Sequence, residues 1–257
     1  MTAPENTGWL KVVGLGPGPE DWLTPEARRD LAEATDLVGY FPYVERVPPG
    51  DQVRHASDNR VELDRARFAL DLAAQGRRVA VVSGGDPGIF AMAAAIFEAL
   101  DDPAAPEAWH AVHLSVDPGV SAMQAAAARA GAPLGHDFCA ISLSDNLKPW
   151  EVVLRRLRLA AEADFVIALY NPISKARPWQ LGAAFDALRD IRTPETPIVL
   201  GRAVGRHDEE LTVTTLGEVR AEQADMRTLV IIGASHTRFV ARADGGRWVY
   251  TPRHYRG

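Results

Sequence analysis

Glycine-rich segments that follow β-branched runs are the first places where this sequence could do chemistry. Residues 78–93, RVAVVSGGDPGIFAMA, empty an apolar run into Ser83, Gly84, Gly85, Asp86, Pro87 and Gly88. Residues without a Cβ keep a loop thin, so its peptide groups can approach a polar ligand. In α/β proteins ligands bind outside the carboxyl ends of parallel strands, where this loop would fall. Asp86 could favour an ammonium group or cap the next helix, which Pro87 could begin. The Gly-Lys-Ser/Thr ending of a phosphate loop is missing, which argues against ATP hydrolysis.

An earlier segment, GLGPGPEDWLTPEA at 14–27, has glycines at 14, 16 and 18. It matches a dinucleotide fingerprint poorly. The third glycine of that pattern would fall on Pro19, and the helix starts later, with Thr24 as N-cap and Pro25 in its first turn. Asp36 stands before the second strand rather than at its end, where a ribose would need it. A nicotinamide or flavin enzyme is therefore disfavoured. Three further turns, VDPGVSA at 116–122, LYNP at 169–172 and GRAVG at 201–205, follow other strand-like runs. Each is explained singly by turn geometry, but together such loops can assemble a pocket of mixed polarity.

The elements that must position these loops alternate along the chain. Strands are expected at 11–15, 37–40, 78–82, 111–116, 138–143, 164–169, 197–201, 210–214 and 227–233. Helices are expected at 25–33, 61–75, 88–100, 121–130, 151–161 and 179–189. This alternation predicts an α/β fold with mostly parallel sheets covered by helices. Phe68, Leu72, Ile89, Ile96, Leu154 and Leu157 are expected in the core. A boundary near Asp117 divides the chain into an N-terminal α/β domain (1–117) and a C-terminal one (118–242). Residues 243–257 read as an irregular surface tail.

The chain has 257 residues, enough for two α/β domains. Its formal charge of -6 gives no global attraction to nucleic acid or to an anionic membrane. Cys139 is the only cysteine, which excludes an intrachain disulfide and a cysteine-based zinc site. No metal constellation is evident, since the His110 and His113 spacing disfavours joint ligation. The apolar segments fall short of the roughly 20 residues that cross a bilayer, and no signal peptide is visible, so a cytoplasmic protein is expected.

The GLGPG loop, the SGGDPGIF loop, the DPGVSAMQAAAARAGAPL segment and the YNP turn together resemble the tetrapyrrole methyltransferases, over residues 9–237. Within that family the likeness is greatest to the precorrin-3B C17-methylating branch. It is carried there by GYFPYVERV at 39–47, ISLSDNLKPWEVVLRRL at 141–157 and ALYNPISKARPWQL at 168–181; Lys148 departs from the pattern expected in the second of these. The resemblance implies two consecutive α/β domains with a cleft between them, a homodimer, and S-adenosylmethionine as methyl donor to an anionic precorrin. It places Gly85, Asp86 and Ile89 beside the methionine part of the donor. Ser121, Ala122, Tyr170, Asn171 and Pro172 become further walls. Ala203, Val204, Thr228 and Leu229 lie around the adenine, and Pro17 and Gly18 form the floor of the tetrapyrrole cleft.

The expected reaction is methylation of precorrin-3B at C17 with contraction of the ring to precorrin-4, in cobalamin biosynthesis. Such a contraction calls for a general acid or base, for which Asp117, Ser144, Asp145, Lys175 and His207 are candidates beside strand ends. A polycarboxylate calls for basic side chains. Arg54, Lys148 and Arg177 are the first choices, with Arg46, His55, Arg60, Arg202, Arg206 and Arg238 behind them. Residues 54–65 form the densest basic stretch. Methylation of cobalt-factor III, of a different precorrin carbon, or non-enzymatic sensing of a nucleotide-like ligand are the alternatives.

Overall fold

In the computed structural model residues 8–58 and 61–254 are described, and the chain separates into two compact units between Ser121 and Ala122. The first unit is built on β1 (Trp9–Gly14), β2 (Asp36–Tyr40), β3 (Val53–Ser57), β4 (Arg78–Ser83) and β5 (His113–Asp117). Their order is β3-β2-β4-β1-β5, with every neighbouring pair parallel. Helices α1 (Pro25–Glu33), α2 (Phe41–Val44), α3 (Glu62–Ala74), α4 (Met92–Leu100) and α5 (Glu107–His110) connect them.

A parallel sheet covered on both faces needs strands that are apolar on both sides. Leu10, Val12, Val79 and Val81 accordingly pack in one cluster with residues of α3 and α4, including Ala69, Leu70 and Ile96. Val13, Ala80 and Val82 pack in another with Ala27 and Leu31 of α1. Thr24 caps α1 as expected, its hydroxyl accepting from the Ala27 N–H at 3.0 Å, with Pro25 in the first turn.

Three expectations for this unit are corrected. α4 starts at Met92 rather than at Gly88, and its N-cap Ala91 makes no side-chain cap bond; Phe90, at φ 52, breaks the helical path before it. Pro87 therefore starts no helix, and Asp86 does not cap one. β3 was not anticipated, because VRHAS lacks an apolar alternation; its pairing with β2 at the sheet edge makes it a strand. Phe68 is 42% exposed and lies edge-on to the His55 ring at 5.0 Å instead of entering the core.

The second unit contains β6 (Gly131–Ala132), β7 (Phe138–Ser142), β8 (Val166–Tyr170), β9 (Pro197–Arg202), β10 (Glu210–Thr215), β11 (Thr228–Ile232), β12 (Arg238–Ala241) and β13 (Arg247–Tyr250). Its helices are α6 (Ala122–Ala130), α7 (Trp150–Glu162) and α8 (Gln180–Arg189). The main sheet runs β10-β9-β11-β8-β7. Of its neighbouring pairs among the described residues only β7–β8 is parallel; β11 is antiparallel to both β8 and β9, and β10 to β9. The expectation of a mostly parallel sheet fails here for a physical reason. A parallel return needs a crossover of a dozen or more residues, usually a helix, whereas β9, β10 and β11 follow one another with only a short 3-10 turn at Ala221–Gln223. Leu157, Leu181, Phe185, Leu188 and Ile198 fill the core beneath α7 and α8.

The expected irregular tail is also corrected in part. β13 pairs antiparallel with β12 and parallel with β6, and Arg242 lies over Trp248 at 4.2 Å while Arg247 lies over Phe239 at 4.3 Å. Among the described residues no helix is long and apolar enough to cross a membrane.

Candidate cofactor site

At the carboxyl end of the first sheet three loops close on one another. Gly16 and Gly85 form an isolated bridge, each N–H donating to the other's carbonyl at 3.1 and 3.0 Å. Gly85 sits at φ 71, a left-handed conformation that side chains resist. The β5 loop approaches so closely that a Cβ on Gly119 would stand 2.4 Å from the Gly85 carbonyl oxygen. Asp86 ties this contact: its carboxylate accepts from the Gly88 N–H at 2.8 Å and from the Gly119 N–H at 3.1 Å. Arg46, just beyond α2, donates to the carbonyls of Leu15, Gly16 and Gly18 at 2.9 to 3.0 Å, which fixes the other flank. Because α4 begins only at Met92, the peptide groups of residues 87–91 lie outside the α-helix.

In the second unit the strand directions place four segments along one edge of the main sheet. The ends of β7, β8 and β9 and the start of β11 all lie there, since β11 runs opposite to its neighbours. They carry Ser142 to Asp145, Tyr170 to Pro172, Ala203 with Val204, and Thr228 with Leu229. The Tyr170 hydroxyl accepts from the Met123 N–H at 3.2 Å, linking β8 to the first turn of α6. Ser142, buried and not foreseen, accepts from Asn171 Nδ2 at 3.0 Å and from the Ser144 N–H at 3.3 Å. Asn171 and Ala203 both take positive φ, at 51 and 48. Val204 and Leu229 are buried apolar neighbours of these turns.

In the first unit the thin glycine loops suit a polar ligand end that needs peptide groups, and in the second the reversed backbone beside apolar Val204 and Leu229 suits a flat apolar group. Residues 10–220 match the family of Tetrapyrrole (Corrin/Porphyrin) Methylases. This chain belongs to that family. The sequence is 61% identical, over 98% of both chains, to a precorrin-3B C(17)-methyltransferase of Sinorhizobium sp. It is 41% identical to a probable cobalt-factor III C(17)-methyltransferase of Salmonella typhimurium, over 96% of this chain and 99% of the relative. A crystal structure of the methyltransferase CobJ superposes with a TM-score of 0.90 at 53% identity, covering 95% of this chain and all of the other. The non-enzymatic sensor reading is set aside on the family match.

The structure distributes the residues expected to meet a polycarboxylate unevenly. Arg54 donates to the carbonyls of Val44, Val47 and Pro48 at 2.6 to 2.9 Å, so its guanidinium holds the chain after α2 instead of facing a ligand. His55 contacts Asp36 at 2.9 Å, Arg65 is buried and bonded to Ser57, and Arg60 lies outside the described residues. The dense basic stretch thus supplies its described cations to the fold. Arg202 pairs with Asp225 and Asp208. Lys148 and Arg177, by contrast, form no ion pair among the described residues. Burial and the nearby Arg156 hold the Lys148 ammonium below its ordinary range, with Asp145 acting the other way.

The acid–base candidates separate as well. Asp117 is 2% exposed and faces α1, so it cannot touch a substrate in this conformation. Asp145 accepts from Gln180 Nε2 at 3.0 Å. Ser144 is half-buried at the β7 edge, and Lys175 and His207 are exposed. Pro17 and Gly18 follow the Gly16–Gly85 bridge, with the Gly18 carbonyl held by Arg46. Sequence reading missed Tyr43, whose ring lies against Gly84; the aromatic spacing of GYFPYVERV was its one signal.

Proposed function

We propose that this chain transfers the methyl group of S-adenosylmethionine to C17 of precorrin-3B, with contraction of the macrocycle to precorrin-4. The observation that carries this reading is 61% identity to a precorrin-3B C(17)-methyltransferase across 98% of both chains. When bound, the donor supplies an electrophilic methyl on a sulfonium, so neither a metal nor a covalent enzyme intermediate is required. The peptide groups around Gly85 and Asp86 hold the aminoacyl end, with Ile89, Ser121, Ala122 and the Tyr170–Pro172 turn as walls. Ala203, Val204, Thr228 and Leu229 bound the adenine. Holding the accepting carbon in line with the methyl group contributes up to roughly 7 to 11 kcal/mol in favourable systems. Lys148 and Arg177 receive substrate carboxylates. Ser144, Asp145, Lys175 or His207 serves the proton transfers of the contraction. The working unit is a cytoplasmic homodimer that does not engage nucleic acid.

The Salmonella relative favours a second reading, cobalt-factor III as the acceptor, because it too aligns over nearly its whole length. One experiment separates the two. Protein supplied with methyl-labelled donor and precorrin-3B should give a product with label at C17 and with C20 expelled as an acetyl group, read by carbon NMR. Label appearing only with the cobalt-containing acceptor assigns the second reading, and label at another carbon overturns the named position. No label with either acceptor, while a competent enzyme methylates the same batch, overturns precorrin methylation altogether.

A further inference from the structure

The end of β5 carries a charge arrangement that methyl transfer does not use. Asp117 and Asp30 are 2% and 4% exposed, and each has one carboxylate oxygen with no hydrogen-bond donor. One carboxylate oxygen of each, and one of the exposed Glu26, lie within 4.8 Å of one another. One cation opposes them: Lys11 Nζ on β1 stands 2.6 Å from Asp30 Oδ1. Asp30 and Glu26 project from α1, Lys11 from β1, and these are the charged groups that face Asp117. With all three carboxylates ionised the group would carry two uncompensated negative charges, two of the carboxylates being almost wholly out of water. Buried carboxylates in contact cannot all ionise cheaply, and a shared proton is the usual resolution.

We propose that Asp117 is a positioning residue: it holds a proton, donates it to the free oxygen of Asp30, and through that bond fixes the β5 loop against the Gly85–Asp86 loop. The proton accounts for both orphan oxygens at once, as donor on one side and acceptor partner on the other. Burial first, then the bond and charge of Asp30, then Glu26, push the Asp117 carboxyl up to about 7, with Lys11 opposing. Two residues on, the Gly119 N–H donates to Asp86, and a Cβ there would run into the backbone of Gly85 and Gly14. A displacement at Asp117 is therefore passed directly to the glycine contact.

The consequence is a dependence on pH. A raised carboxyl contributes stability that is full below its unfolded value, near 3.8, and is lost as pH climbs through about 7. Ionisation then sets Asp117 against Asp30 and Glu26 and loosens the loop. The effect on cofactor affinity rests on the methyl-transfer reading above, whereas the shared proton does not.

The test compares the native protein with Asp117→Asn, which keeps a hydrogen-bond donor and removes the titration. Carbon NMR of labelled aspartate should show one carboxyl, absent from the variant, titrating near neutrality. The dissociation constant of S-adenosylhomocysteine should rise about threefold or more in the native protein from about pH 6 to about pH 8.5, and stay level in Asp117→Asn. An Asp117 carboxyl that titrates in the ordinary carboxylate range overturns the shared proton. Parallel pH profiles of affinity in the two proteins overturn the positioning role. If neither protein binds the ligand at any pH, the positioning role and the cofactor reading both fail, and the NMR titration still decides the shared proton.

Discussion

Arg54 and Lys148 show how a residue's type and its task come apart. Both are basic and both are first choices for a substrate carboxylate, yet Arg54 serves three carbonyls while Lys148 keeps a half-buried ammonium without an ion pair among the described residues. Replacing Arg54 by Met should lower folding stability by about 1 to 2 kcal/mol, because three carbonyls lose a charged donor at a partly solvated site. KM for the precorrin should hardly change. Lys148→Met should do the reverse, raising KM roughly three- to tenfold with cofactor affinity intact. Denaturant titration and steady-state kinetics on the two variants check both halves. Equal KM increases would return Arg54 to the substrate site.

At the scale of elements, the first sheet ends in loops that could not sit together if they carried side chains. Gly119 faces the Gly85 carbonyl, and the atom in the way of a Cβ there belongs to the backbone, which cannot swing aside. Gly119→Ala should therefore force the β4 and β5 loops apart and stretch the Asp86 bond to the Gly119 N–H. Calorimetric titration should show S-adenosylhomocysteine binding weakened by about tenfold or more, the equivalent of ~1.4 kcal/mol. The second sheet, built around Leu157, Phe185 and Ile198, should keep its far-UV signal. An unchanged affinity would mean that the loop contact does not shape the ligand site. The same elements show where sequence was sufficient. Strong apolar runs such as 78–82 and 197–201 became β4 and β9 within a residue. Weakly patterned VRHAS, together with the strands after Gly233, became ordered through pairing alone.

On the scale of the whole molecule, a ligand that binds the folded chain and not the unfolded one raises stability by mass action. S-adenosylhomocysteine at about 100 times its dissociation constant should add ~2.7 kcal/mol. For a chain of this size that corresponds to a melting midpoint higher by roughly 5 to 10 °C in scanning calorimetry. No shift at saturating ligand would contradict the cofactor assignment. The net charge of -6 gives an anionic substrate no general attraction, which is why the proposed recognition is assigned to local cations.

The sequence by itself determined the α/β class, the strand-end loops, the Thr24 cap and the family likeness, since each depends on residues close together in the chain. Turn glycines, caps and apolar periodicity are local signals. Tertiary structure alone decided the direction of the second sheet, because a strand's polarity depends on its connections and not on its composition. It also decided the work of the charged residues. Asp86 reads locally as a cap, and becomes a clamp because Gly119, 33 residues away, presents its N–H. Asp117 reads as an acid beside a cleft, and becomes a buried partner of Asp30 because α1 lies over β5's end. Hydrogen bonding and burial are properties of neighbours in space, and folding supplies those neighbours from distant parts of the chain.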